Sequence, residues 1–244
     1  MKKILLYPIT GIYYSVYFIV MCTIHPIQWI AFKVFGNTGL QKVFDYVAYF
    51  SLKCNHILGT RFTFENIEFI PKDVPVIFVA NHQSLLDTAG IIWYLRKFNC
   101  LFVTKKELSK GIPCVSYFLR NGKYVLIDRN NPKQAIPTIK SLAEYIEKEK
   151  YSAVIFPEGT RSKTGEPKEF AESGLKILCK YAPSAYVVPI SINNSWKVYQ
   201  YGYFPLSFGN HLIFTAHKPL KVSDFSFAEI MKKTENEIVQ GVKV

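Results

Sequence analysis

The pattern of apolar and polar positions divides this chain near residue 60. From Ile4 to Phe32, 29 consecutive residues carry no Asp, Glu, Lys or Arg, with Lys2 and Lys3 on one side and Lys33 on the other. Ile4 to Ile24 alone makes 21 residues, roughly 31 Å of helix, close to the hydrocarbon thickness of a bilayer. Thr10, Gly11, Ser15 and Thr23 soften the run, and Tyr13, Tyr14 and Tyr17 suit an interface as well as a core. His25-Pro26 is expected to break the helix. Ile27 to Phe35 and Val43 to Leu58 then read as further helix, with Val43, Val47, Phe50 and Cys54 at spacings of 3 to 4. The pattern predicts a helical hairpin over residues 1–60. No small-residue cleavage site follows the apolar run, which argues against a signal peptide. A hairpin dipping into one leaflet, a true span and a buried core helix remain, and the first fits the interrupted pattern best.

Beyond residue 60 the periodicity changes. Arg61 to Ile70 alternates at strand spacing, with Phe62, Phe64, Ile67 and Phe69, and Pro71-Lys72-Asp73 ends it. Short continuous apolar runs follow at Val76 to Ala80, Cys100 to Thr104, Tyr124 to Ile127, Ala153 to Phe156, Tyr186 to Ile192 and Leu212 to Ala216. Such runs are buried strands. Between them lie helical patterns at Leu85 to Phe98, Pro132 to Lys150, Gly174 to Tyr181 and Phe225 to Val239. Alternation of this kind predicts an α/β domain over 61–244, a largely parallel or mixed sheet flanked by helices. Val187-Val188-Pro189-Ile190-Ser191-Ile192 carries a proline inside a strand, so it is expected at an edge or in an irregular stretch.

With 49% hydrophobic and 20% charged residues, the 244-residue chain folds or inserts and is no disordered protein. Lys plus Arg exceed Asp plus Glu by 30 − 18 = 12. The sign points to an anionic partner without choosing among nucleic acid, acidic protein, phosphorylated metabolite and lipid. Residues 1–60 contain five Lys and one acid, Asp45. If the apolar run spans a membrane, the basic residues after it keep the main domain on the cytoplasmic side. Five cysteines, with no C-x-x-C pair, argue against a disulfide framework or structural zinc and fit a reducing compartment.

Polar clusters stand at the ends of the apolar runs, where chemistry collects in such sheets. Asn81-His82-Gln83-Ser84-Leu85-Leu86-Asp87 follows the run Val76 to Ala80. A His in the loop and an Asp in the first helical turn can meet, fixing one imidazole tautomer and leaving the other nitrogen as a base. The same residues could equally be a helix cap with a satisfied histidine. Phe156-Pro157-Glu158-Gly159-Thr160-Arg161-Ser162 ends another run. There Gly159 permits a tight turn, Arg161 offers a planar fork for phosphate, and Glu158 can orient it or bind a hydroxyl. The plain alternative is a turn with a surface ion pair. Thr104-Lys105-Lys106-Glu107-Leu108 places two lysines at a strand end, and Gly122 to Arg129 ends on the adjacent pair Asp128 and Arg129.

Taken in order over residues 81–192, N-H-x4-D, K-x-E-L, a G-x4-I-D-R-like block, F-P-E-G-T-R-S and V-V-P-I-S-I resemble the glycerolipid acyltransferases, especially the 1-acyl-sn-glycerol-3-phosphate acyltransferases. The resemblance implies His82 as general base oriented by Asp87, and an acceptor-phosphate site from Glu158, Gly159, Thr160 and Arg161 with Lys105. Asn81, Asp128 and Arg129 would support them. It further implies a lysophosphatidic acid acceptor, phosphatidic acid as product, and a coenzyme A or acyl-carrier-protein thioester as co-substrate, with no cofactor or metal. A membrane-associated enzyme with its catalytic domain in the cytoplasm follows. Members often carry Phe-Lys-x-Gly after the glutamate motif; here Phe170-Ala171-Glu172-Ser173-Gly174 lacks the lysine. That departure puts one phosphate or phosphopantetheine contact in question.

Other chemistry finds less support. His25, His56, His211 and His217 stand in no ligand spacing with His82, and G-x-S-x-G, G-x4-G-K-[ST] and G-x-G-x-x-G are absent. An acyltransferase acting on another lysolipid or an amino-acid lipid, and a non-catalytic basic membrane-binding protein, are the competing functions. No RNA-binding or helix-turn-helix pattern supports a nucleic-acid partner.

Overall fold

A computed structural model describes residues 3–122, 124–127 and 132–243. An eight-stranded sheet forms its middle layer: β1 (Arg61–Glu65), β2 (Val76–Ala80), β3 (Cys100–Lys105), β4 (Val125–Ile127), β5 (Ser152–Ile155), β6 (Tyr186–Asn193), β7 (His211–Ala216) and β8 (Leu220–Lys221). Seven strands run in the order β1-β7-β6-β2-β5-β3-β4, and β8 pairs with β6. All pairings are parallel except β6 with β7 and β6 with β8. This is the mixed α/β sheet expected from the alternating runs. Strands β2 and β5 are buried along their whole length. That is why they read as continuous apolar runs rather than alternating ones.

Successive side chains of a strand face opposite layers. Val76, Phe78 and Ala80 of β2 join one core, which holds residues of α1 (Leu6–Cys54), α2 (Leu85–Tyr94) and α3 (Val115–Asn121). Ile77 and Val79 join the other, with α4 (Pro132–Glu149), α5 (Glu172–Tyr181) and α6 (Phe227–Gly241). Among the helices, α3 escaped the sequence pattern: seven residues hold fewer than two full turns of periodicity.

The expected break at His25-Pro26 does not occur. Helix α1 runs through Pro26 and leaves helical geometry at Gly36, with φ 58° and ψ −145°. Proline keeps a helical φ and gives up one N–H bond, whereas a positive φ with that ψ is open essentially to glycine alone. Past Gly36 the chain turns back so closely that a Cβ on Gly39 would lie 2.5 Å from the Ala31 carbonyl oxygen. Much of α1 is exposed and apolar, with Phe18, Ile19, Val34 and Phe35 each more than 60% accessible.

The expectation of an edge position for Pro189 is also overturned. Strand β6 lies between β2 and β7, and Pro189 is buried opposite Val79. Its carbonyl accepts from the His217 amide at 2.9 Å, so its missing N–H faces the same side, at the gap between β7 and β8. No ladder donor is required there. A central strand tolerates the proline because its antiparallel partner is interrupted beside it.

Candidate active site

Strands β2, β5 and β3 are neighbours and parallel, so the loops leaving their C-terminal ends gather at one edge of the sheet. The loop after β2 starts at Asn81, whose buried carboxamide continues the β2–β6 pairing. Its Nδ2 donates to the Ile192 carbonyl at 2.9 Å and its Oδ1 accepts from the Ile192 amide at 2.7 Å. His82 comes next, half-buried, and its Nδ1 lies 2.8 Å from Asp87 Oδ2. An ionised carboxylate can only accept, so Nδ1 carries the proton and Nε2 is the basic nitrogen. His82 lines a cleft of about 800 Å³.

Asp87 is fully buried in the first turn of α2. Ser84 caps that helix in a capping box with Asp87 at its third position. The Gln83 and Ser84 amides donate to Asp87 Oδ2 at 2.6 and 2.7 Å, and the Ser195 hydroxyl donates to Oδ1. Donors that converge on a buried carboxylate in this way hold it in place, which fixes the ring that leans on it. The five-residue spacing thus serves both as cap and as histidine partner. The two readings of the sequence are not exclusive.

The loop after β5 folds directly onto His82. The Phe156 ring stacks on the imidazole, with centroids 4.2 Å apart. Glu158 Oε1 accepts from the His82 amide at 2.9 Å, and the Ser162 amide donates to the His82 carbonyl at 2.7 Å. Burial pushes the Glu158 carboxyl up, and the His82 and Lys168 amides draw it partly back. Gly159 takes a φ of 68°, which completes the turn between these two contacts. Glu158 therefore braces the histidine loop from behind, while Gly159, Thr160 and Arg161 line the cleft.

Arg161 is exposed, and its Nη1 lies 3.4 Å from the Tyr203 hydroxyl. Lys105, at the end of β3, is exposed and borders the same cleft. Asp128 and Arg129 lie outside the described residues. The cleft is polar at His82, Lys105, Thr160 and Arg161, and apolar at Phe44, Ile92, Phe102, Leu119 and Tyr124. A site of this make-up can hold an anion and a hydrocarbon chain beside a base.

Four participants went unseen in the sequence. Ser195 and Gln83 form a buried set with Asp87, in which Gln83 Oε1 accepts from the Ser195 amide and its Nε2 donates to the Gly165 carbonyl. Lys168 donates to Thr160 Oγ1 at 2.9 Å and to the Arg161 carbonyl at 3.0 Å. It supplies a lysine to the turn that position 171 lacks. Tyr203 is the fourth.

A family model described as Acyltransferase matches residues 61–193. A 1-acyl-sn-glycerol-3-phosphate acyltransferase of Cocos nucifera is 39% identical over 126 residues, which is 50% of this chain and 38% of that protein. The enzyme of the same name from Helicobacter pylori (strain J99 / ATCC 700824) is 35% identical over 126 residues, 50% of each chain. The aligned stretch thus spans half or less of these relatives' own length. The crystal structure of the 1-acyl-sn-glycerophosphate acyltransferase PlsC from Thermotoga maritima superposes with a TM-score of 0.75 at 26% identity, over 99% of this chain and 96% of that one. With more than half its length inside the family model and its fold shared from end to end with a solved acyltransferase, this chain belongs to the acyltransferase family.

Proposed function

We propose that the protein is a 1-acylglycerol-3-phosphate O-acyltransferase, which moves a fatty acyl group from an acyl thioester to the sn-2 hydroxyl of 1-acyl-sn-glycerol 3-phosphate. The observation that carries this reading is the His82–Asp87 pair, held at a cleft lined by both cationic and apolar side chains. A thioester is already activated, so no covalent nucleophile is needed. His82 Nε2 takes the proton of the acceptor hydroxyl as its oxygen attacks the thioester carbonyl. The tetrahedral intermediate collapses with cleavage of the C–S bond, and the imidazolium returns its proton to the departing thiolate. Asp87 stabilises the imidazolium and stays ionised throughout. General-base catalysis of this kind is worth about 10²- to 10⁴-fold.

Arg161 suits the acceptor phosphate, since a guanidinium on a glycine-hinged turn can pair with it in bidentate fashion. Lys105 adds a second cation. The apolar lining of the cleft suits an acyl chain. The donor is a coenzyme A or carrier-protein thioester; both are acidic and fit the basic rim. Steady-state kinetics of Arg161→Ala tests the assignment. The KM for lysophosphatidic acid should rise about 10- to 100-fold, as expected for loss of a charge-assisted hydrogen bond. An unchanged KM would exclude a phosphate monoester as the group Arg161 binds and would favour another lysolipid acceptor.

A further inference from the structure

Loop 200–208 joins the short helical turn Ser195–Tyr199 after β6 to the strand β7, and it is unusually aromatic. Tyr201, Tyr203, Phe204 and Phe208 are all exposed, at 45, 58, 55 and 45%. It does not hang free. Leu206 donates its amide to the buried Thr10 hydroxyl of α1 at 2.9 Å, and the Tyr14 hydroxyl donates to the Tyr203 carbonyl at 2.7 Å. The Tyr7 and Phe204 rings meet edge to face with centroids 5.4 Å apart, and Lys3 Nζ stands 5.0 Å above the Tyr201 ring. The loop thereby extends the exposed apolar surface at the start of α1, where Ile4 and Leu5, in the turn that leads into the helix, are 73 and 51% accessible.

We infer that this loop is a second membrane-contacting element, seated in the headgroup region of an anionic bilayer beside α1. Three observations select that occupant. The patch is continuous with the one helix among the described residues that is long and apolar enough to cross a membrane. Tyrosine and phenylalanine with a flanking lysine are the residues that settle at the water–lipid boundary. The charge is complementary as well: loop 200–208 and residues 1–32, which it meets, contain no Asp or Glu, and Lys3 stands at their junction. A surface formed from those two segments meets anionic headgroups with almost no opposing charge.

The loop also borders the active site. Gly202 and Tyr203 line the cleft, and the Tyr203 hydroxyl faces Arg161. Seating Tyr201 and Phe204 in the interface puts Arg161 at the level of lipid phosphates, so an acceptor can reach His82 without leaving its leaflet. That consequence rests on the proposed acyl transfer; the seating itself does not.

The test has two arms. A spin label at Phe204→Cys, in a Cys22→Ser background that removes the exposed native thiol, is examined in vesicles of phosphatidylcholine and phosphatidylglycerol. Oxygen should reach the label and a water-soluble nickel chelate should be excluded, as for a label at Ile12→Cys. Nickel access equal to that of a label at Lys232→Cys, on the exposed side of α6, would overturn the inference whatever the enzyme's substrate. In the second arm, Tyr201→Ser/Phe204→Ser should lower turnover of vesicle-borne lysophosphatidic acid roughly tenfold. Its rate on a short-chain, freely dissolved acceptor should stay unchanged, and Phe204→Trp should keep vesicle turnover at the parent level. An equal fall on both acceptors would mean that the loop supports the fold and not the membrane contact.

Discussion

Asp87 shows how one side chain joins local and distant structure. Its bonds to Ser84, Gln83 and His82 lie within five residues, so the cluster is legible in the sequence as a cap followed by a helix. Its bond to Ser195 crosses 108 positions and is legible nowhere, because only the placement of β6 beside β2 creates it. Removing that hydroxyl leaves a buried carboxylate short of one donor. Ser195→Ala should therefore cost about 1.5–3 kcal/mol of stability, measured by chemical denaturation. It should also lower kcat and shift the pH profile of kcat, since the carboxylate that holds His82 changes its surroundings; Ser195→Thr should restore part of both.

Glu158 makes the opposite trade. Burial raises its pKa above the ordinary carboxylate value, so the folded state binds a proton more readily than the unfolded one. Its contribution to stability is best at low pH and is lost as pH rises through the range above 4.5. Glu158→Gln keeps an acceptor for the His82 amide and removes the buried charge. The variant should melt higher than wild type at pH 8, and the difference should shrink toward pH 4. A gap that widens on acidification would contradict the assigned cause.

At the level of elements, α2 couples the core to the chemistry. It starts at the residues that cap Asp87 and packs on β7 through Gly90, where an added Cβ would lie 2.2 Å from the Phe214 ring. Gly90→Ala must push the helix off the sheet or displace the ring. A loss of about 1–3 kcal/mol is expected, with a fall in kcat that exceeds the change in KM, because the helix carries Asp87. The strands were the most legible elements, since burial on both faces writes an uninterrupted apolar run. The alternation read over Arg61 to Ile70 is strand only to Glu65, because Asn66 takes a φ of 59° and Ile67–Phe69 close a single helical turn; the other two misplacements were both prolines. Pro26 looked like a break and is carried inside α1, while the reversal falls at Gly36. Pro189 looked like an edge and is central, because the edge belongs to its partner strands. Proline reports a missing N–H, and the sequence alone does not say which neighbour would have needed it.

Over the whole molecule, the proposed function divides the surplus of twelve positive charges between two anionic partners. Lys105, Arg161 and Lys168 stand at or behind the cleft, suited to the phosphates of acceptor and donor. The acid-free loop 200–208 and residues 1–32 suit a headgroup surface. The sheet edge, the apolar helix and the cleft then form one arrangement, in which a base fixed by a buried carboxylate waits where a lipid hydroxyl would arrive. The measurement that tests this most directly is acylation of lysophosphatidic acid in vesicles with a labelled acyl thioester, on coenzyme A and on carrier protein, by wild type and His82→Ala. Phosphatidic acid should form with wild type on at least one donor, and its rate should fall by about 10²- to 10⁴-fold in the variant. Equal rates for the two proteins, or no phosphatidic acid with either donor, would contradict the account.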